Sequence, residues 1–138
     1  MSEIKVDTLT GKTSVGDITV TSEGGAVTMQ LQQGLAKAWV NFTGITTTSS
    51  RDSLNVSSLT DGGSGNTTIT FSSAMDSSNY TGSWFSNCST ATNHGSFDNT
   101  YGGGFGSRTT TSYGVYCFGG TGTVDSAHND STILGDLA

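Results

Sequence analysis

The chain of 138 residues contains no proline and has few charges: Asp, Glu, Lys and Arg together make up 12% of it. Apolar residues supply only 32%, against about 45–50% in ordinary soluble domains on a count that also includes glycine. There are two histidines, two cysteines and five basic residues: Lys5, Lys12, Lys37, Arg51 and Arg108. Each scarcity excludes something. A formal net charge of −6 with scattered cations argues against nucleic acid and anionic membrane surfaces, which need clustered Lys and Arg. No apolar run approaches the roughly 20 residues of a membrane span, so no membrane insertion is expected. Met1-Ser2-Glu3-Ile4 has neither a basic nor an apolar leader region, so no secretory signal is expected. Disordered chains are charge-rich and poor in aromatics. Trp39, Trp84 and a spread of Phe and Tyr make disorder a poor fit.

Ser, Thr, Asn and 20 glycines fill the space left. With Val, Tyr and Phe, they predict short strands joined by tight turns. A chain of this size buries only about two-thirds of the surface its unfolded form exposes. With few large side chains the core of one copy is thin, and burial shared between subunits is the expected supplement.

Ile4, Val6 and Leu9 set a strand rhythm that stops at Gly11 and resumes at Ile18 and Val20. After the turn Ser22-Glu23-Gly24-Gly25, Val27, Met29 and Leu31 alternate as a third strand. Leu31, Leu35, Ala38, Trp39 and Phe42 are then spaced by three and four. This spacing predicts a short helix over Gln32–Lys37, interrupted by Gly34, and then a strand over Ala38–Phe42. Further on, Ser53–Ser58 alternates with Leu54 and Val56 on one side. Asp61-Gly62-Gly63-Ser64-Gly65-Asn66 is a strong turn, expected to be a loose tip leading into Thr67–Phe71. Tyr80–Cys88, Thr109–Phe118 and Ser131–Leu137 complete the strands, with 125–130 as a polar loop. The expected fold is all-β: an N-terminal strand-rich segment with one short helix (1–36), then an antiparallel, jelly-roll-like β-sandwich (37–138).

Chemistry-bearing patterns are sparse. His94 and His128 lie in polar stretches, and no nucleophile elbow, zinc motif, phosphate loop or calcium loop is present. Asp125, His128, Asn129 and Asp130 lack the ligand spacing a calcium site needs. No cofactor, metal or catalysis is expected. A carbohydrate-active enzyme would need paired carboxylates, for which Asp98 and Asp125 are the loose candidates. Asn-x-Ser/Thr triplets at Asn41, Asn55, Asn66, Asn79, Asn87 and Asn129 follow from composition. Cys88 and Cys117 read as free, buried thiols in aromatic-rich strands, although they could face each other across a sheet. Trp84 and Phe85 are adjacent, so one should face outward. Phe97, Tyr101 and Phe105 either form an adaptable binding surface or fold back as a lid.

The blocks SEIKVDTLTGKTSVGDITV, LQQGLAKAWVNF, RDSLNVSSLTDGGSGNTTITFSSAM and the closing ILGDLA resemble a family of small virion proteins. These belong to tailed phages of marine bacteria, cyanophages above all, and are described as tail fibre-like. The resemblance covers Met1–Met75 and the last few residues. It implies a homotrimeric appendage in the virion, assembled in the host cytoplasm, attached to tail or capsid proteins, with a host-surface glycan as a candidate partner. The anchoring and trimer face would comprise Ile4, Val6, Leu9, Ile18, Val20, Leu31, Leu35 and Trp39. The receptor-facing loops would carry Trp84, Phe85, His94, Phe97, Tyr101 and Phe105. The alternative is a capsid decoration or head-fibre protein, for which the same trimer would serve.

Overall fold

The computed structural model describes residues 3–11, 18–21, 24–25, 27–87, 104–119 and 122–138. Within them the chain is all β, and it divides into two compact units, Met1–Leu35 and Ala36–Ala138. The described residues contain no helix. Where the spacing predicts one, Leu31–Gly34 forms turns, with the Leu35 N–H donating to the Gln32 carbonyl at 3.2 Å. The physical reason is length: a six-residue segment containing glycine cannot recover the cost of nucleating a helix.

The first unit holds one small hairpin, β1 (Thr19–Thr21) paired antiparallel with β2 (Thr28–Gln30). The second unit is built on β3 (Ala38–Thr43), β4 (Ser49–Leu54), β5 (Val56–Asp61), β6 (Asn66–Phe71), β7 (Thr81–Asn87), β8 (Gly104–Arg108) and β9 (Ser112–Tyr116). It continues through the short pair β10 (Phe118–Gly119) and β11 (Gly122–Thr123) to β12 (His128–Leu134). Two four-stranded antiparallel sheets result, ordered β4-β3-β12-β7 and β5-β6-β9-β8.

Alternation explains the inner faces. β3 buries Ala38, Val40 and Phe42, and β12 buries Asn129, Ser131 and Ile133. β6 buries Thr67, Ile69 and Phe71, and β9 adds Tyr113 and Val115. These apolar side chains form one cluster with Met75 and Tyr80, drawn from both sheets. Each of the Val, Ile, Phe and Met side chains among them contributes about 1.5–3 kcal/mol on burial. Aromatic rings knit the cluster: Phe71 meets Tyr80 edge-on at 5.7 Å, and Tyr113 lies 5.3 Å from Phe71. The sheets are also joined by a buried hydrogen bond of 2.6 Å between the Tyr113 and Ser131 hydroxyls. Burial pushes the Tyr113 hydroxyl up to about 12, opposed in part by that bond.

Four expectations are corrected here. Leu54 and Val56 do not share a face, because Asn55, at φ 54°, turns the chain from one sheet to the other. Asparagine tolerates this left-handed conformation. Its side chain also accepts from the Ser73 N–H at 2.6 Å and donates to the Ser73 carbonyl at 3.1 Å. The β5–β6 tip is not loose: the Ser64 hydroxyl donates to the Thr123 carbonyl, and the Gly65 N–H donates to Asp125 Oδ1 at 2.7 Å. Gly65 itself has φ +66°, and a Cβ there would stand 2.5 Å from the Cys117 carbonyl oxygen, so glycine is required. The last strand begins at His128, inside the expected polar loop, because Asn129 is buried and hydrogen-bonded to the Ser86 hydroxyl at 2.8 Å. Finally, Cys117 is buried and disulfide-bonded rather than free. The chain's other cysteine, Cys88, lies outside the described residues.

Candidate interaction surfaces

The first unit keeps its apolar side chains in the open. Ile4 is 84% exposed, and Val6, Leu9, Val20, Val27, Met29 and Leu35 are all exposed. Among the described large apolar residues of this unit only Ile18 and Leu31 are half-covered; the Leu31 N–H donates to the Ile18 carbonyl at 2.7 Å and extends the hairpin by one bond. The strand expected over Ile4–Leu9 is not formed; this segment is irregular with a bend at Asp7. Alternation supplies a face but no partner, and a strand needs its N–H and C=O groups paired. The Lys5–Glu3 ion pair at 3.5 Å is exposed and adds little.

Trp39, expected on the same anchoring face, belongs to the other unit. It lies in β3, half-buried, opposite Leu54 of β4 and Thr132 of β12. It therefore stands on the outer face of the sandwich.

The residues expected on receptor-facing loops separate into three groups. Trp84 lies in β7 and turns inward, its ring 5.8 Å from Phe42. Its Nε1–H is buried with no hydrogen-bond partner. It lines a cavity of about 10 Å³ together with Ser126 and Asn129. A space of that size is about one water molecule. Phe105 is likewise a packing residue of β8, half-buried at 5.8 Å from the Tyr113 ring. The Arg108 guanidinium covers it at 5.6 Å while donating to the Tyr80 carbonyl at 3.0 Å. Phe85 is the outward member of the Trp84–Phe85 pair, 49% exposed. His94, Phe97 and Tyr101 lie outside the described residues, as does Asp98.

Asp125 is engaged in holding the Gly65 turn. His128 is exposed on β12, next to buried Asn129. Among the described residues no group of three or more His, Cys, Asp or Glu could hold a metal ion. A second opening of about 170 Å³ lies along β4 and β5, lined mainly by serine hydroxyls. It is smaller than the roughly 300–1,000 Å³ of a typical small-molecule pocket.

One constellation escaped the sequence reading. β4 carries a bulge opposite Asn41 and Phe42, where Asn41 pairs with Asp52 and Phe42 with Ser50, leaving Arg51 as the extra residue. Bulges re-aim side chains. Arg51 Nη1 donates to Asn41 Oδ1 at 3.2 Å, and Nη2 donates to the Ala127 carbonyl. Asn41 Nδ2 in turn donates to Asp130 Oδ1 at 2.5 Å. The cross-strand partner of Asp130 on β7 is Phe85. The only signal in the sequence is that Asn41 and Asp130 occupy outward positions between buried neighbours.

No protein-family model matches the chain, and neither a curated protein nor a solved structure does.

Proposed function

We propose that the protein is a phage virion structural protein, a homotrimeric tail fibre-like appendage. In this reading its first unit anchors and trimerises, and its sandwich points outward. The observation that carries the reading is the set of exposed apolar side chains in Met1–Leu35: Ile4, Val6, Leu9, Val20 and Leu35 are each at least 42% exposed. Threefold closure would bury them, at about 1.5–3 kcal/mol for each side chain fully covered. The resemblance of Met1–Met75 to marine phage virion proteins points the same way. The pairing of β3 with β12, first and last strands of the sandwich, is in keeping with a jelly-roll-like ancestry, although β4 hangs on β3 by a hairpin.

A trimer also explains how weak contacts with a cell surface would suffice. Three linked sites, repeated over many trimers, raise avidity by about 10²–10⁴ without any new contact.

Two measurements test the proposal. Sedimentation of a variant lacking the first 30 residues should show a soluble monomer where the full chain is trimeric; a trimeric truncation removes the anchoring role. Gold-labelling of intact particles with an antibody to residues 76–130 should mark the tail. Label spread over the head would move the protein to capsid decoration, and no label on any particle would count against a virion surface role.

A further inference from the structure

We propose that Asp61 is a site of slow backbone modification, isoaspartate formation, and that the clamped tip between β5 and β6 holds this reaction in check. The site does not depend on the appendage reading. Asp61-Gly62 is the chain's single Asp-Gly step, and no Asn-Gly step accompanies it. Glycine matters because it has no Cβ to hinder approach to its own backbone nitrogen. In the reaction the Gly62 nitrogen attacks Asp61 Cγ and loses its proton, and a carboxyl oxygen leaves as water. The succinimide so formed then takes up one water. Opening at one carbonyl restores aspartate. Opening at the other routes the main chain through the side chain, as isoaspartate. No oxidant, reductant or other co-reactant is consumed.

Three features of the folded tip oppose the attack. First, the nucleophile is occupied. The Gly62 N–H donates to the Asn66 carbonyl at 2.9 Å, and the Asn66 N–H donates to the Gly63 carbonyl at 2.9 Å. The Gly62 nitrogen must give up its acceptor before it can attack. Second, the electrophile is held. Asp61 Oδ1 accepts from the Gly63 N–H at 2.8 Å, which ties the carboxylate to the residue beyond Gly62. Third, Asp61 is the last residue of β5 and pairs with Thr67 across the ladder. Strand backbone is extended, and ring closure onto the next nitrogen requires Asp61 to rotate out of that conformation.

The tip stays closed because residues distant in sequence grip it. The Ser64 hydroxyl donates to the Thr123 carbonyl at 3.1 Å. The Cys117 N–H donates to the Gly65 carbonyl at 2.8 Å. The Gly65 N–H donates to Asp125 Oδ1 at 2.7 Å. Of these bonds only the last has a charged partner, and such bonds are the stronger class. Closure therefore leans most on Asp125, although its own side chain is exposed. Local opening of the tip, short of global unfolding, is the step that frees the Asp61–Gly62 peptide. An isoaspartate would add one methylene to the main chain beside the Asp61–Thr67 pair and spoil the ladder there. The clamp thus sets a chemical lifetime for the β5–β6 hairpin.

The test is prolonged incubation of the full chain in neutral buffer, with isoaspartate at Asp61 quantified by peptide mapping and isoaspartyl methyltransferase labelling. The folded chain should convert at least about tenfold more slowly than the same chain in urea. Asp125→Ala should speed conversion in the folded chain about tenfold, the change in open population expected from losing one hydrogen bond to a charged group. Asp125→Asn keeps an oxygen acceptor and should fall between the two. Hydrogen exchange at Val115 and Ile133 should match the parent chain, showing that the core has not opened. If Asp125→Ala fails that check, Ser64→Ala, which removes the bond to Thr123, should still speed conversion about threefold. The proposal is overturned if the folded chain converts as fast as the chain in urea. It is also overturned if isoaspartate accumulates at other residues and not at Asp61, or if the clamp variants convert no faster than the parent.

Discussion

The two units of this chain use the same small vocabulary of Val, Ile, Leu and Thr in alternation, yet they reach different ends. In Ala36–Ala138, strands of five to seven residues pair into two sheets, and the alternate side chains of β3, β6 and β12 are closed off from water. In Met1–Leu35 the strands are three residues long and most side chains of the described residues stay exposed. The difference teaches that alternation creates a face and only a second face makes it stabilising. The sandwich supplies its own second face. The first unit does not, and the large apolar side chains among its described residues are mostly exposed.

The sharpest way to break this comparison is a pair of truncations. Phe42→Ala removes a ring from the centre of the core and should cost about 3–5 kcal/mol of unfolding free energy. Ile4→Ala should change the unfolding of the sandwich by less than about 0.5 kcal/mol, as for other exposed positions. Urea titration followed by tryptophan fluorescence reports both. A large effect of Ile4→Ala on the body would erase the division between the units.

A second effect of similar size belongs only to the sandwich. Cys117→Ser, or reduction, should lower stability by about 2–4 kcal/mol, the range typical of a native disulfide. Thermal melts with and without reductant measure it. The first unit has no cysteine, so its hairpin should respond to reductant not at all.

The third effect depends on pH. Tyr113 is neutral in the folded core and its pKa lies at about 12, raised chiefly by desolvation from the ordinary value of 10. Above pH 10 the unfolded chain loses this proton while the folded chain retains it. The unfolded state then binds fewer protons, so stability falls as pH rises. The contribution is complete below about pH 10 and is lost between pH 10 and 12, up to about 3 kcal/mol in order of magnitude. Tyr113→Phe should flatten that alkaline slope in denaturant titrations. It should also cost about 1–2 kcal/mol at neutral pH, because the Ser131 hydroxyl loses its buried partner. An unchanged slope would place the alkaline sensitivity elsewhere, with Tyr80, also raised by burial, next in line.

Much of the sandwich was legible in the residues. The β3 and β6 strands, the turn at Asp61–Asn66 and the inward set Phe42, Ile69, Phe71, Tyr113 and Ile133 follow from period-two patterning and turn chemistry. The helix was misread because Leu31, Leu35 and Ala38 fit a period of three and four by accident, on either side of a unit boundary. Which of Trp84 and Phe85 faces outward, and whether Phe105 is presented or folds back, stays open in the sequence because adjacency and polar surroundings say nothing about which sheet face a side chain takes. The Arg51–Asn41–Asp130 row was invisible for a different reason. Its members lie on three strands, and the bulge that aims Arg51 exists only once β3 and β4 are in register.

By itself, then, the sequence determined the all-β character, the thinness of the core and the unpartnered apolar rhythm at the N-terminus, since composition and alternation act locally along the chain. Tertiary structure alone decided the turn between sheets at Asn55, the disulfide state of Cys117 and the assembly of a polar row beside Phe85. These depend on which residues meet across strands distant in sequence. Such meetings are fixed by register and by the closing of two faces over one core, quantities that no short stretch of the chain contains.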